Sequence, residues 1–143
     1  MTVKKLEKKI IKILLVDNEL ASRRMVQSFL SPLGEVDIAI NGKEAFTVIK
    51  TAIENNQPYE LILLDITVPK LEGIEVLKKI RQLEDQQGLG EDNRSKVIMI
   101  SANFDKNIIL KAARADCTGY IIKPIDKIRL YNEIHKHGFD IPE

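Results

Sequence analysis

The chain has 143 residues, about the length of one domain, and its composition of 44% hydrophobic and 30% charged residues is typical of a soluble globular protein. The formal net charge of +1 gives no electrostatic reason to expect nucleic acid or an anionic membrane as a partner. No apolar run approaches the ~20 residues that span a bilayer, and the single cysteine, Cys117, excludes an internal disulfide. We therefore expect a cytoplasmic protein.

Apolar runs alternate along the chain with segments of helical spacing. The first run, IIKILLV (10–16), is apolar almost throughout, which indicates a strand buried on both faces, as in a parallel sheet. Further strands are predicted over 36–40, 60–65, 96–101 and 119–123, and helices over 19–31, around 45–52, from near Gly73, over 105–115 and over 126–137. Pro32 and Gly34 are predicted to end the first helix, and residues 84–95 to form a long polar loop.

Five successive strand–helix units predict an α/β fold with helices on both faces of a parallel sheet. Such sheets bind ligands at the carboxyl ends of their strands, where the strand order reverses. Four polar residues fall at these ends: Asp17, Asp65, Ser101 and Lys123. We therefore expect two acids, a hydroxyl and an amine at one edge of the sheet.

These residue types suit phosphoryl chemistry at a metal site. Two neighbouring carboxylates repel each other unless a cation lies between them or one is protonated. Magnesium suits such a site, because it takes oxygen ligands and needs only one or two carboxylates. A lysine can neutralise a phosphate oxygen, and an aspartate can attack phosphorus to form an aspartyl phosphate.

Four segments, ILLVDNE, LILLDITVPKLEG, VIMISA and GYIIKPI, occur in order and at suitable spacing. Together they make the sequence resemble the receiver domain of bacterial two-component response regulators. The resemblance covers about residues 10–138, leaving 1–9 as a basic N-terminal extension and 139–143 as a C-terminal tail. It implies a flavodoxin-like, doubly wound (βα)5 sandwich with a five-stranded parallel sheet of order 2-1-3-4-5, an order for which the chemotaxis regulators are a standard example.

The resemblance implies how the chain accepts and binds a phosphoryl group. Asp65 accepts the group from a sensor histidine kinase, and Asp17 and Asn18 form the acid pocket. Magnesium is held by Asn18, Asp65 and the backbone carbonyl of Thr67, with Asp17 acting through water. Such a protein is not an enzyme in the usual sense, because it catalyses only its own phosphoryl transfer and dephosphorylation.

The resemblance also implies how the phosphoryl group is sensed. Ser101 is the switch hydroxyl, Tyr120 is the aromatic residue whose rotamer follows it, and Lys123 pairs with the phosphoryl group. The bond between Lys123 and Pro124 is usually cis in such domains, and a cis bond before proline costs only ~0.5–1 kcal/mol relative to trans.

Asn18 departs from the family pattern, which usually has two acids where this sequence has Asp17 and Asn18. The amide oxygen can bind magnesium but brings no charge. We therefore expect magnesium binding weakened by about ten- to a hundred-fold, at ~1.4 kcal/mol per factor of ten. Glu19 is a possible substitute ligand, although its position at the start of a helix suits a helix-dipole role equally well.

Several alternatives stay open. Asp17 could cap the first helix. The chain could be a pseudo-receiver, a protein-binding module with weak or no phosphorylation, which Asn18 favours. An aspartate-nucleophile phosphatase would need an acid two residues after the nucleophile, where Thr67 stands. A nucleotide-binding fold is poorly supported, because no glycine-rich loop follows the first strand.

Since the sequence ends at Glu143, we expect no DNA-binding effector domain. We therefore expect a stand-alone regulator whose output comes from an unidentified output protein docking on its surface, or from onward transfer to a phosphotransfer protein. A homodimer formed through helix four, strand five and helix five also remains open.

Overall fold

In the part of the chain that the structure describes, five parallel strands form one sheet and five α-helices cover its two faces. The structure is a computed structural model that describes residues 10–67, 72–102 and 105–142, so the predicted extension at 1–9 lies outside the described residues. The strand order, β2-β1-β3-β4-β5, confirms the predicted order 2-1-3-4-5. The elements are β1 (Ile11–Val16), α1 (Leu20–Leu30), β2 (Gly34–Ala39), α2 (Gly42–Glu54), β3 (Leu61–Asp65), α3 (Gly73–Gln86), β4 (Lys96–Ser101), α4 (Lys106–Arg114), β5 (Gly119–Ile122) and α5 (Lys127–Lys136).

Alternate residues of each strand enter two separate cores, which explains why the strands are apolar almost throughout. Ile13 and Leu15 of β1 pack in the core that α1 and α5 cover. Leu14 and Val16 pack in the opposite core, beneath α2, α3 and α4. Because successive side chains of a strand point to opposite faces, a strand buried on both faces offers positions for polar side chains only at its ends.

The helices are short and amphipathic. Among the described helices the longest is α3, with 14 residues, and it buries one face. Within the described ranges, no helix is both long and apolar enough to cross a membrane. Beyond α5, the side chains of Phe139 and Ile141 pack against the core that α1 and α5 cover, so part of the predicted C-terminal tail contributes to that core.

Several predicted boundaries shift by a few residues, and two of the differences have a clear structural reason. Gly34 does not end the first helix but begins β2, where it pairs with Ile11, and a Cβ at this position would overlap the Ile11 carbonyl oxygen. The predicted loop at 84–95 is also wrong at its start, because α3 continues to Gln86 and a short 3-10 helix follows at Glu91–Asn93. In both places, residues of types that are common in turns or loops lie in a strand or helix and are closely packed.

A buried ion pair accounts for the extension of α3. Glu84 is fully buried. Its Oε1 accepts a hydrogen bond from Arg81 Nη1 (2.7 Å), and its Oε2 accepts one from the Ser95 N–H (2.7 Å). Arg81 also donates to the carbonyl oxygens of Ser95 (2.9 Å) and Asp116 (2.9 Å). These four residues, which we call the Arg81–Glu84 clamp, tie α3 to the segments that lead into β4 and β5.

Removal of the Glu84 carboxylate should destabilise the fold strongly. Glu84→Ala leaves the Arg81 guanidinium, whose side chain is 12% exposed, without its buried counter-charge, since its other carboxylate partner, Asp116, is 78% exposed at 3.9 Å. The variant also leaves the Ser95 N–H without its acceptor. Losing one partner of a buried ion pair costs about 3–5 kcal/mol, which equilibrium urea unfolding would measure. Asp85→Ala is the matched control and should have a much smaller effect, because Asp85 pairs with Arg94 while 66% exposed. Equal losses in the two variants would contradict the role of the clamp.

Candidate functional site

Asp17 is held at the carboxyl end of β1 by both its backbone and its side chain. Its N–H donates to the Ala39 carbonyl oxygen (3.1 Å), which continues the contact between β1 and β2. Asp17 is 2% exposed, and its Oδ1 accepts from the Glu19 N–H (2.9 Å) while its Oδ2 accepts from the Ser22 hydroxyl (2.7 Å). The side chain therefore also anchors the start of α1, so helix anchoring and membership of the site are compatible roles.

Asp65 ends β3 and is equally buried, at 2% exposed. α3 begins against its backbone: the Gly73 N–H donates to the Ile66 carbonyl oxygen (2.9 Å), and a Cβ at Gly73 would lie 2.5 Å from the Asp65 carbonyl oxygen. Oδ1 of Asp65 accepts hydrogen bonds from the N–H (2.9 Å) and the hydroxyl (2.9 Å) of Thr67. Oδ2 accepts from Lys123 Nζ (2.8 Å). One carboxylate oxygen is thus held by the local turn, and the other is directed at Lys123.

The Lys123 ammonium joins the two buried carboxylates. Its Nζ lies 2.8 Å from Asp65 Oδ2 and 4.0 Å from Asp17 Oδ2. Burial alone lowers the pKa of Lys123, but the hydrogen bond and charge of Asp65, followed by the charge of Asp17, outweigh burial and raise the pKa. The charge of Glu19 acts in the same direction. Lys123 is therefore charged at neutral pH and neutralises one of the two buried negative charges.

The other predicted site residues lie around this centre at different depths. Ser101 is buried at the end of β4, and its carbonyl oxygen accepts a hydrogen bond from the Lys123 N–H (2.8 Å). Tyr120 lies within β5, half-buried against the core beneath α2, α3 and α4. Asn18 is exposed beside Asp17. The bond between Lys123 and Pro124 is cis, the isomer that the resemblance implies.

Among the described residues, three side-chain donors at the site were not identified from the sequence. They are the hydroxyls of Ser22 and Thr67, and the guanidinium of Arg23, which donates to the Asp17 carbonyl oxygen (3.3 Å). Ser22 and Arg23 lie in the first turn of α1, so only their spacing from Asp17 could have indicated them. The Thr67 hydroxyl follows Asp65 at the two-residue spacing typical of a local side-chain turn.

The oxygen atoms available at this edge of the sheet fit the ligands that a magnesium ion takes. Magnesium takes oxygen ligands and needs only one or two carboxylates, and Asp17 and Asp65 supply two. From the residues that the structure describes, Oδ2 of Asp65 and both oxygens of Asp17 each accept one short hydrogen bond, and a carboxylate oxygen can accept two. Among the described residues, no three His, Cys, Asp or Glu side chains are grouped to hold a metal. A metal here would therefore also use neutral oxygens, for which the Asn18 amide and the Thr67 carbonyl are the candidates.

Comparison with known proteins decides the family. The family model of the response regulator receiver domain matches residues 13–135 of this chain. The chain belongs to the response regulator receiver family. It is 32% identical over 127 residues to the chemotaxis protein CheY-3 of Vibrio cholerae, a match that covers 87% of this chain and 89% of that protein. It is 31% identical over 123 residues to "Probable transcriptional regulator ycf29" of Porphyra purpurea, covering 85% of this chain but only 54% of that protein.

Solved receiver structures have the same fold. One is the Saccharomyces cerevisiae complex of the histidine phosphotransfer signaling protein Ypd1 with the receiver domain of its downstream response regulator Ssk1. It matches with a TM-score of 0.78 at 28% identity, over 90% of this chain and 89% of that chain. The CheX–CheY–BeF3–Mg complex of Borrelia burgdorferi matches with a TM-score of 0.74 at 25% identity, over 91% and 90%. Receiver domains are signalling modules of two-component phosphorelays, not classical enzymes, and they bind Mg²⁺ in the active site.

The raised pKa of Lys123 predicts how the stability of this receiver changes at alkaline pH. A group whose pKa is higher in the folded than in the unfolded chain contributes fully below its unfolded pKa, 10.5 for an ordinary lysine, and less as the pH rises above that value. The parent should therefore be more stable than Lys123→Met at pH 8, and the difference should shrink above about pH 10.5. Urea unfolding at a series of pH values measures this difference.

The parent and Lys123→Met both contain Tyr59, whose pKa is raised by burial and by the neighbouring Asp37. The titration of Tyr59 therefore cancels when their stabilities are compared. A stability difference that stays constant from neutral to alkaline pH would contradict the pairing of Lys123 with Asp65 and Asp17.

Proposed function

We propose that this receiver accepts a phosphoryl group on Asp65 from a phosphohistidine of a sensor histidine kinase or of a phosphotransfer protein. The observation that supports the proposal most directly is the position of Lys123 Nζ, 2.8 Å from Asp65 Oδ2 and 4.0 Å from Asp17 Oδ2. A buried carboxylate beside an ammonium held in place has the surroundings that an incoming phosphoryl group requires.

In the proposed transfer, Oδ2 of Asp65 attacks phosphorus, and the bond between phosphorus and the donor imidazole nitrogen breaks. The imidazole leaves with the electron pair of that bond, and the product is an aspartyl phosphate. Thr67 holds Oδ1 through two hydrogen bonds and so sets the plane of the carboxylate. Lys123 then pairs with the phosphoryl oxygens, because the negative charge moves onto them. Magnesium, when bound, supplies further neutralisation of that charge.

The proposed response passes from Lys123 to the surface formed by α4, β5 and α5. The Ser101 carbonyl oxygen is bonded to the Lys123 N–H, so a change at Lys123 reaches the ends of β4 and β5 together. Ser101 is the proposed switch hydroxyl and Tyr120 its aromatic partner. A groove of about 250 Å³ on this surface is lined by Tyr120, Ile121, Arg129, Asn132, Glu133 and Lys136. We propose this surface as the docking site of an output protein or of a second copy of the chain.

Asn18 supports a second candidate, a pseudo-receiver that binds a partner without being phosphorylated. The amide brings no charge to the acid pocket, and Asp65 already has a direct partner in Lys123. In that case the buried charges would stabilise the fold and the docking surface, and Asp65 would not react. Phosphorylation of the parent chain separates the two candidates.

Phosphorylation should occur on Asp65 alone. Incubation with phosphoramidate and magnesium, followed by intact-mass analysis, should show one added phosphoryl group on the parent and none on Asp65→Asn, because the amide is not a nucleophile for phosphorus. Asp92→Asn is the matched control, since Asp92 is exposed in the short 3-10 helix and should not affect labelling. Undiminished labelling of Asp65→Asn would exclude Asp65 as the acceptor, and an unlabelled parent would favour the pseudo-receiver.

Restoring the acid at position 18 should strengthen magnesium binding. Asn18→Asp adds a charged oxygen ligand and should lower the magnesium dissociation constant about ten-fold, the equivalent of ~1.4 kcal/mol. Without metal, the new carboxylate should cost some stability, because it repels Asp17 and Asp65. Thermal melts with and without magnesium test both effects, since metal should raise the melting temperature of the variant more than that of the parent.

Two outcomes of these melts would count against the magnesium site as proposed. If magnesium stabilises neither chain, this edge of the sheet is not a metal site, and the pseudo-receiver gains support. If both chains respond equally, Asn18 is not a ligand, and magnesium binds through Asp17, Asp65 or Glu19.

A further inference from the structure

We infer that Ser22 is a positioning residue for the phosphoryl-transfer site and that it acts through Asp17. The inference rests on the proposed function, because it concerns the same edge of the sheet. Ser22 lies in the first turn of α1, and its hydroxyl donates to Asp17 Oδ2 at 2.7 Å. The same oxygen lies 4.0 Å from Lys123 Nζ. Ser22 and Lys123 therefore both lie near one atom of Asp17.

The buried carboxylates of Asp65 and Asp17 differ in the group that donates a hydrogen bond to Oδ2. Oδ2 of Asp65 takes its hydrogen bond from Lys123 at 2.8 Å, and Oδ2 of Asp17 takes its own from Ser22 at 2.7 Å. Both residues are 2% exposed, so burial does not distinguish them. The Ser22 hydroxyl offsets part of the negative charge on the Asp17 oxygen that lies nearest the ammonium. Lys123 thereby stays directed at Asp65, the proposed nucleophile.

Ser22 also completes the set of bonds that orient Asp17. The Glu19 N–H holds Oδ1 at 2.9 Å, and the Arg23 guanidinium holds the backbone carbonyl at 3.3 Å. With the Ser22 bond added, each carboxylate oxygen has a donor from the start of α1, so the carboxyl group has one orientation. Hydrogen bonds to an ionised acceptor are shorter and stronger than neutral ones, which suits this positioning role.

The second serine of α1 shows that the contact is not a general property of serines in this helix. The Ser28 hydroxyl donates to the Met25 carbonyl oxygen at 2.6 Å, an ordinary bond within the helix. Ser22 instead donates outside the helix, to a buried carboxylate. With an amide at Asn18, Asp17 and Asp65 are the carboxylates of the proposed ligand set, so the orientation of Asp17 bears directly on metal binding.

The test compares Ser22→Ala, Ser22→Thr and the control Ser28→Ala with the parent chain. Three quantities are measured for each: the magnesium dissociation constant from amide chemical shifts, the labelling rate by phosphoramidate at saturating magnesium, and the free energy of unfolding in urea. Ser22→Ala should raise the dissociation constant and lower the labelling rate, each by about three- to ten-fold, the range expected for one typical intramolecular hydrogen bond. Ser22→Thr keeps the hydroxyl and should restore both values to within about two-fold, and Ser28→Ala should leave both unchanged.

A purely structural role would change only the free energy of unfolding. If Ser22→Ala keeps the parent's magnesium affinity and labelling rate, the inference is overturned, whatever happens to stability. Equal losses in Ser22→Ala and Ser22→Thr would overturn it too, because the hydroxyl would not be the group responsible. A parent chain that binds no magnesium and accepts no phosphoryl group would instead overturn the proposed function, and this inference with it.

Discussion

Burial of the sheet on both faces is the constraint from which the rest of the structure follows. The interiors of β3 and β4 hold no charged side chain. The buried charges gather at strand ends, where each has an opposite charge beside it. At the carboxyl edge, Lys123 lies between Asp17 and Asp65. At the amino edge, the Arg81–Glu84 clamp lies beside the first residues of β4 and β5. One edge is thus arranged for binding and the other for holding elements together.

The strand and helix order and the residues of the carboxyl edge could be predicted because they follow from simple periodicity. Asp65 and Lys123 are 58 residues apart in sequence, yet the rule that parallel strands end at one edge brings them together. The end of α3 could not be predicted, because Arg81 and Glu84 are polar and resemble the loop that follows until their burial is known. Ser22 was missed for a related reason: the direction of its hydroxyl depends on where α1 starts relative to Asp17.

Asn18 changes the electrostatics of the site more than its shape. Two buried carboxylates and one ammonium give a formal charge of −1, whereas a second acid in place of Asn18 would give −2. A less negative pocket is under less repulsion in the absence of a cation and attracts a divalent cation less strongly. We therefore expect Asn18 to favour both a stable metal-free receiver and a weaker magnesium site, so the two proposed functions differ in binding strength and reactivity but not in the fold.

Gly73 links the sequence of α3 to the geometry of the proposed phosphoacceptor. Its Cα packs so closely on the preceding turn that a Cβ would lie 2.5 Å from the Asp65 carbonyl oxygen and 2.8 Å from the Ile66 Cα. An alanine there would favour the helix by intrinsic propensity but would displace the backbone that carries Asp65. The residue types allowed at Gly73 are therefore limited by its packing on Asp65, eight positions earlier in the chain. Under the proposed function, phosphorylation of Asp65 would by itself require the glycine, even if the fold could absorb a larger side chain.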